Sequence, residues 1–402
     1  MSIETDPVSE RLGRYSGYNP EFTPEDALAL FSEARERCPV GHSDQLGGFY
    51  LVFDHDAARR IHRDPTFSTV PGMFRPQVDR PQLPPTEYDP PEHDHWRRVF
   101  NLAVNGKTAA LIEPGIREDV NRLLDAFMDR GTCDLVPELA VPVPLYAICR
   151  ILGVDISSAA ELRSLTDDLM ANLAFPDKAA DAYQALAAFG TKEIAERRAN
   201  PRDDVLTRLS QEEVDGQRLS DLEITQVMAS LLSAGHETST VLMTSMFYEV
   251  LSRPDVHKQL LEDRSLIPAA VEETLRLHPP VMGLYRRATQ PSTVSGVDIP
   301  EGSDLMLCWA ATNRDPKVFD KPDEFRLDRG RNHHLTFGFG IHACLGAGVA
   351  RLEMRIALEE LLRRLPDIEL TTDATEYKFS GPEWVSITEL PARFTPPTKP
   401  GV

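Results

Sequence analysis

The chain has 402 residues, 41% of them hydrophobic and 26% charged, and 43 basic against 63 acidic side chains leave a formal net charge of −20. That is enough apolar material for a large core, while the negative balance disfavours nucleic acid and acidic membrane surfaces as partners. Cys38, Cys133, Cys149, Cys308 and Cys344 are scattered, odd in number and without zinc or CxxC spacing, which argues against a disulfide framework and for a reducing cytoplasm. No apolar run reaches eighteen residues and the start, MSIETDPVSERLGRY, is polar, so neither a membrane span nor a secretory signal is expected.

In chain order, Thr23-Pro24 ahead of Leu28 and Phe31 reads as an N-cap with proline at the first helical position. Gly47-Gly48 leads into a short apolar strand at 49–53, and 54–62 is helical again. Residues 70–88, rich in proline and carrying Met73 and Phe74, predict a surface loop. Asp89-Pro90-Pro91-Glu92 predicts a helix start with cap, prolines and a capping-box glutamate. His93 and Arg97 then fall one turn apart on one face, two donors able to hold a carboxylate. Residues 105–215 read as amphipathic helices with boundaries at Glu113-Pro114 and around Pro142 and Pro144, and 170–176 as a lid between two of them.

Ser220-Asp221-Leu222-Glu223 is a capping box opening a helix to Leu251, about 45 Å at roughly 1.5 Å per residue. Inside it stands Ala234-Gly235-His236-Glu237-Thr238. An interior glycine costs about 1 kcal/mol and threonine is a poor helix former, so the run predicts a kink or a close approach to backbone. A helix crossing with the threonine hydroxyl bonded back one turn accounts for it equally. Pro268 opens the next helix, where Glu273 and Arg276 share a face ahead of His278-Pro279-Pro280. Strands are expected at 281–284, 292–297 and 304–309, and paired strands over 377–394 with a turn near Gly381-Pro382.

The loop Phe-Gly-Phe-Gly-Ile-His-Ala-Cys-Leu-Gly, 337–346, is the most informative stretch. Its glycines permit positive φ and close approach of the chain to a flat ligand. Val349, Leu352, Ile356 and Leu361 follow at helical spacing, and Pro366 stops them. Cys344 therefore sits near a helix N-terminus, where the macrodipole favours a thiolate, a good axial ligand for haem iron. A buried structural cysteine is the other reading the chemistry allows.

Phe337, Gly340, His342, Cys344 and Gly346 match every fixed position of the signature Phe-x-x-Gly-x-(His/Arg)-x-Cys-x-Gly. On these residues the chain resembles the cytochrome P-450 superfamily. The resemblance extends to the His93-x-x-x-Arg97 haem-propionate motif, to the oxygen-binding groove at Ala234, Gly235, Glu237 and Thr238, and to the structural Glu273-x-x-Arg276 with Arg329 as its third member. It implies a mostly α fold with a smaller β-rich part, the triangular prism of the superfamily, as one domain over 1–402 without fused reductase or ferredoxin. Haem b would lie between the long central helix and the cysteine loop, with Cys344 on the iron and His93, Arg97, Arg286 and His342 on the propionates. Arg287, the neighbour of Arg286, remains an alternative because adjacent strand residues face opposite ways.

The resemblance further implies a monooxygenase that inserts one atom of O2 into a small or medium apolar substrate. Glu237 and Thr238 would manage protons and water, and Ala234 and Gly235 would leave room for O2. No flavin or iron–sulfur motif is present, so electrons from NAD(P)H are expected through a separate ferredoxin and ferredoxin reductase. Arg98, Arg351, Arg355 and Arg363 are the expected basic docking patch, with scattered solvated charges the other reading. A peroxide-driven peroxygenase and a non-catalytic haem-binding or gas-sensing protein are the alternatives. Phe74, Val227, Leu231, Val281, Met282, Leu284 and Val385 are the expected apolar lining for a terpenoid, aromatic or fatty substrate, in a cytoplasmic monomer.

Overall fold

Local caps set the first helices. The Thr23 hydroxyl accepts from Asp26 N at 3.1 Å and the Asp26 carboxylate accepts from Thr23 N at 3.1 Å, closing a capping box on Pro24–Arg37. Asp54 caps His55–Ile61 by accepting from Ala57 N at 2.8 Å. The computed structural model describes residues 7–77, 82–172, 176–371, 377–379 and 384–396. The chain forms two compact units: Met1–Gln77, Glu272–Cys344 and Glu376–Thr388 make the first, and Val78–Val271, Leu345–Thr375 and Glu389–Val402 the second.

The first unit is built on a five-stranded sheet in the order Val40–Ser43, Phe49–Val52, Asp304–Leu307, Leu284–Ala288, Phe67–Ser68. Asp304–Leu307 runs parallel to Phe49–Val52 and antiparallel to Leu284–Ala288. Tyr15, Phe31, Phe49, Phe53, Met282 and Tyr285 are buried in its core, with Tyr15 edge-on to Phe31 at 4.9 Å and Phe49 edge-on to Tyr285 at 5.3 Å. The strand expected from Val281 begins only at Leu284. Val281 instead bridges Trp384, and the Met282 carbonyl accepts from Ala310 N at 3.1 Å, so both are taken off the ladder. The expected strand over 292–297 is a hairpin, Ser292–Val294 against Val297–Ile299. Its turn residues Ser295 and Gly296 have φ of 47° and 85°, as a two-residue primed turn requires. The strand expected to reach Trp309 stops at Leu307, because a short helix, Trp309–Thr312, follows Cys308.

The second unit is helical, with Glu92–Ala103, Thr108–Phe127, Pro142–Leu152, Val205–Gln211, Asp221–Gly235, Glu237–Leu251 and Ala347–Arg364 among its elements. The cap expected at Asp89 is not used: Pro91, which has no side-chain acceptor, holds the cap position of Glu92–Ala103. The boundary expected at Glu113-Pro114 is also absent, and Thr108–Phe127 runs through it. Tertiary contacts override the local preference there. Arg150 donates to Asp119 at 2.6 Å, and Arg117 reaches Glu359 and Glu360 at 2.9 and 2.6 Å. Pro142 does open a helix, after a π-turn in which Val141 N donates to Val136 O at 3.0 Å. Pro391–Arg393 pairs with Glu369–Leu370 and Thr132–Asp134 in this unit, whereas Tyr377–Phe379 pairs with Val385–Ile387 in the first. The lid expected at 170–176 has its centre, 173–175, outside the described residues, as does the turn at 381–382. Among the described residues no helix is long and apolar enough to cross a membrane.

Candidate functional site

The cysteine loop is held from its start. Asn313 accepts from Leu335 N at 2.7 Å and donates to the Thr336 hydroxyl at 2.9 Å, and Thr336 donates to Leu275 O at 2.5 Å. Gly338 and Gly340 then take φ of 65° and 75°, and Cys344 N closes the loop on Phe337 O at 2.8 Å. Gly340 is required twice over: its φ is left-handed, and a Cβ there would lie 2.6 Å from His62 O. The helix Ala347–Arg364 follows with Gly346 at its cap position. Among the five cysteines Cys344 is the exposed one. Burial pushes the Cys133 and Cys149 thiols up to about 12, and Cys308 is buried with its thiol on Met306 O. Cys38 donates back to Ala34 O.

Behind this loop, Glu273 gathers the charged residues read from the sequence. Arg276 meets it with two bonds of 2.9 Å and Arg329 adds one of 2.8 Å, with all three side chains under 10% exposed. Arg276 also donates to the carbonyls of Asn313, Pro322 and Glu324, and Arg329 to those of Asp320, Lys321 and Glu324. Five carbonyls of the segment before the loop are thus tied to one buried carboxylate. Glu273, Arg276 and Arg329 are brought together in one buried cluster.

Asp304 sets Arg287 apart from Arg286. Arg287 donates to it at 2.8 and 3.0 Å, and Arg75 adds two more bonds at 2.6 and 2.7 Å. Burial opposes ionisation of Asp304, yet the two guanidiniums hold it below the usual carboxylate range. Arg286, on the other face of the strand, is buried and donates to Tyr285 O at 2.8 Å.

The long helix is broken at His236 into Asp221–Gly235 and Glu237–Leu251, and the Ser220–Glu223 capping box starts it as expected. Both readings of the Ala-Gly-His-Glu-Thr run are met. A Cβ on Gly235 would lie 2.3 Å from Ile148 Cδ1, so a helix crosses here, and Thr238 Oγ1 donates back to Ala234 O at 2.6 Å. Val227, Met228, Ala229 and Leu232 are buried, whereas Ala234 is exposed and Leu231, Glu237 and Thr238 are half-buried, so these four share an accessible face at the break in the helix. Beside it lies a residue the sequence did not disclose: Glu353, fully buried, accepting from the Ser239 hydroxyl, its carboxyl pushed up by burial to about 8. Glu360 on the same helix is also buried but is paired with Arg117 and Arg363, whereas Glu353 has no cation on it among the described residues.

His93 is buried and Arg97 half-buried on Glu92–Ala103. Asp215 fastens the outer face of this helix, 2.7 Å from His95 and 2.8 Å from Arg98. Of the arginines expected to form a docking patch, Arg98 is thus paired, Arg355 reaches Glu113 and Glu359 at 2.9 Å each, and Arg363 meets Glu360. In the first unit, by contrast, the guanidiniums of Arg59 and Arg63 lie 4.6 and 4.4 Å from the ring centre of Phe339 in the cysteine loop, beside Ile341, which is 47% exposed. Among the expected lining residues the structure groups Phe74, Val281 and Val385 around Trp384, whose ring is 4.8 Å from Phe74. Leu284 is half-buried on its strand and Val227 fully buried in its helix. Met282 belongs to the core, its sulfur 4.0 Å from the Tyr15 hydroxyl.

The cytochrome P450 family model matches residues 170–391. The steroid C26-monooxygenase of Mycolicibacterium smegmatis is 35% identical, with 87% of this chain and 88% of that protein covered. The erythromycin C-12 hydroxylase of Saccharopolyspora erythraea is 38% identical over 88% and 91%. Among solved structures, CYP109Q5 from Chondromyces apiculatus has a TM-score of 0.84 at 31% identity, covering 94% of this chain and 98% of its own. CYP109E1 from Bacillus megaterium in complex with testosterone has 0.82 at 29%, covering 93% and 100%. The chain belongs to the cytochrome P450 family and has its fold. It is a haem-thiolate monooxygenase.

Proposed function

We propose that residues 1–402 act as one catalytic domain around haem b. Cys344 would be the thiolate on the iron, and His93, Arg97, Arg286 and His342 would hold the propionates through charge-assisted hydrogen bonds. The observation that carries this is the exposed thiol of Cys344 at the end of an amide-closed glycine loop, set against four cysteines that are buried or bonded locally. The donor set fits the group: a soft thiolate for iron, and basic side chains suited to carboxylates, His93 and Arg286 buried and Arg97 and His342 half-buried. When bound, the haem supplies O2 activation, and electron donation from the thiolate favours O–O cleavage.

The chain's own part is proton handling and positioning. The Thr238 hydroxyl proton is engaged by Ala234 O, so its oxygen is left to accept from water. Glu237, in the same turn, would exchange protons between that water and solvent. Ala234 and Gly235 would keep side-chain bulk away from the O2 position.

For substrate we infer an apolar molecule of steroid or macrolide dimensions. Relatives named for steroid and erythromycin oxidation support this, as does the apolar group of Phe74, Val281, Trp384 and Val385. Electrons would come from NAD(P)H through a ferredoxin reductase and an acidic ferredoxin in the cytoplasm, received by a monomer. Docking is assigned to Arg59, Arg63 and Ile341 in place of the expected patch of Arg98, Arg351, Arg355 and Arg363, three of which pair with carboxylates. The test is turnover of a steroid and macrolide panel with ferredoxin, reductase and NAD(P)H. Singly oxygenated product that depends on both redox proteins is expected. Product formed equally well with peroxide alone would support the peroxygenase reading instead, and no product by either route would refute catalysis on this class.

A further inference from the structure

His62 ends the helical run 54–62 and has no place in any motif of the sequence, yet its side chain is buried in the first unit. It is 5% exposed, and neither ring nitrogen has a hydrogen-bond partner among the described residues. A buried imidazole must place one N–H donor and one acceptor, and leaving both unused costs free energy comparable to lost hydrogen bonds. The ring is stacked on Trp309, with centroids 6.3 Å apart and planes inclined by 15°. Trp309 is itself 7% exposed, and its indole N–H is also without a partner. Two buried donors therefore stand side by side.

The charges around them have one sign. Burial, then the Arg286 charge and the neighbouring His342, hold the His62 ring well below the ordinary imidazole range, so it is neutral at pH 7. The Arg286 guanidinium near two buried, unused N–H groups describes a place for an anion, and planar donors of this kind suit a carboxylate. The backbone fixes the position, since His62 O is the atom that Gly340 must be a glycine to approach.

We propose that His62 and Trp309 complete, with Arg286 and His342, a carboxylate-receiving pocket for one haem propionate, His62 being a positioning residue that the family signature does not contain. This rests on the haem reading above. A free carboxylate from solution has the same chemistry, and the experiment separates the two.

Wild type, His62→Phe and His62→Gln are loaded with haem, or with haem whose propionates are methyl-esterified, and cofactor loss to excess apomyoglobin is timed. Phenylalanine keeps the stack on Trp309 without a donor, and glutamine restores one. His62→Phe should release haem about tenfold faster than wild type, the effect of one hydrogen bond to a charged group. His62→Gln should lie near wild type, and the esterified haem should leave wild type and His62→Phe at equal rates. Equal haem loss from His62→Phe and wild type overturns the proposal, as does the same acceleration with both cofactors, which marks a packing effect. A response of the His62 NMR resonances to added acetate in haem-loaded wild type assigns the pocket to a free carboxylate and also overturns it. If wild type takes up haem without a thiolate spectrum, it is the haem reading that fails.

Discussion

Glu353→Gln isolates the buried carboxyl that packs beside the Thr238 turn. Glu353 is fully buried on Ala347–Arg364, and its folded pKa rises from 4.5 to about 8. Below the unfolded value both states hold the proton, and the group adds no pH dependence. As pH rises from 4.5 toward 8 the unfolded chain releases the proton while the native state retains it, so stability falls. At about 1.4 kcal/mol per unit, and with saturation near the folded pKa, the loss between pH 5 and pH 8 is about 3 kcal/mol. Glutamine keeps the shape and cannot ionise, so the variant should lack this slope. Paired urea unfolding of both proteins at pH 5, 6, 7 and 8 reads the difference directly, and any constant offset from repacking cancels. The variant should gain on wild type by about 3 kcal/mol across that range. Parallel stability curves would refute the reasoning and show that Glu353 is ionised or hydrated.

Thr238→Ala should keep haem and substrate binding while product per NAD(P)H falls at least about tenfold and peroxide rises, as expected when an acid–base position is lost; full coupling would leave the threonine a helix-crossing residue only. Glu273→Ala strands the fully buried Arg276 and should cost about 3–5 kcal/mol, giving insoluble or haem-free protein, checked by soluble yield and haem content against Glu273→Gln. Gly340→Ala meets both a left-handed φ and a contact at 2.6 Å with His62 O, so a loss of about 2–4 kcal/mol is expected in thermal melts. Reversing Arg59 and Arg63 to glutamate should slow ferredoxin-dependent reduction about tenfold or more and weaken its salt dependence; unchanged stopped-flow reduction rates would move the docking site elsewhere.

What the sequence disclosed was local. The Thr23 and Ser220 caps, the kink at Gly235 and the Glu273–Arg276 pair are carried by short spacings, and they stand in the structure as read. Errors arose where distant residues decide. Pro114 reads as a helix end until Arg150 and Glu360 are brought to its helix. Arg286 and Arg287 look equivalent until Asp304, seventeen residues on, takes one of them. Met282 looks like pocket lining until Tyr15 is packed against it. His62 and Glu353 were missed for the same reason. A histidine at a helix end and a glutamate in a charged helix carry no local mark of burial, which comes from neighbours far along the chain.

The central claim is that Cys344 is a thiolate on haem iron. Reduced wild-type protein under carbon monoxide should show the strongly red-shifted Soret band of thiolate-ligated haem. Cys344→Ala should lose that band, while separate replacement of Cys38, Cys133, Cys149 and Cys308 should leave it intact. A red-shifted band that survives Cys344→Ala, or one that vanishes with any of the other four in folded protein, would contradict the account.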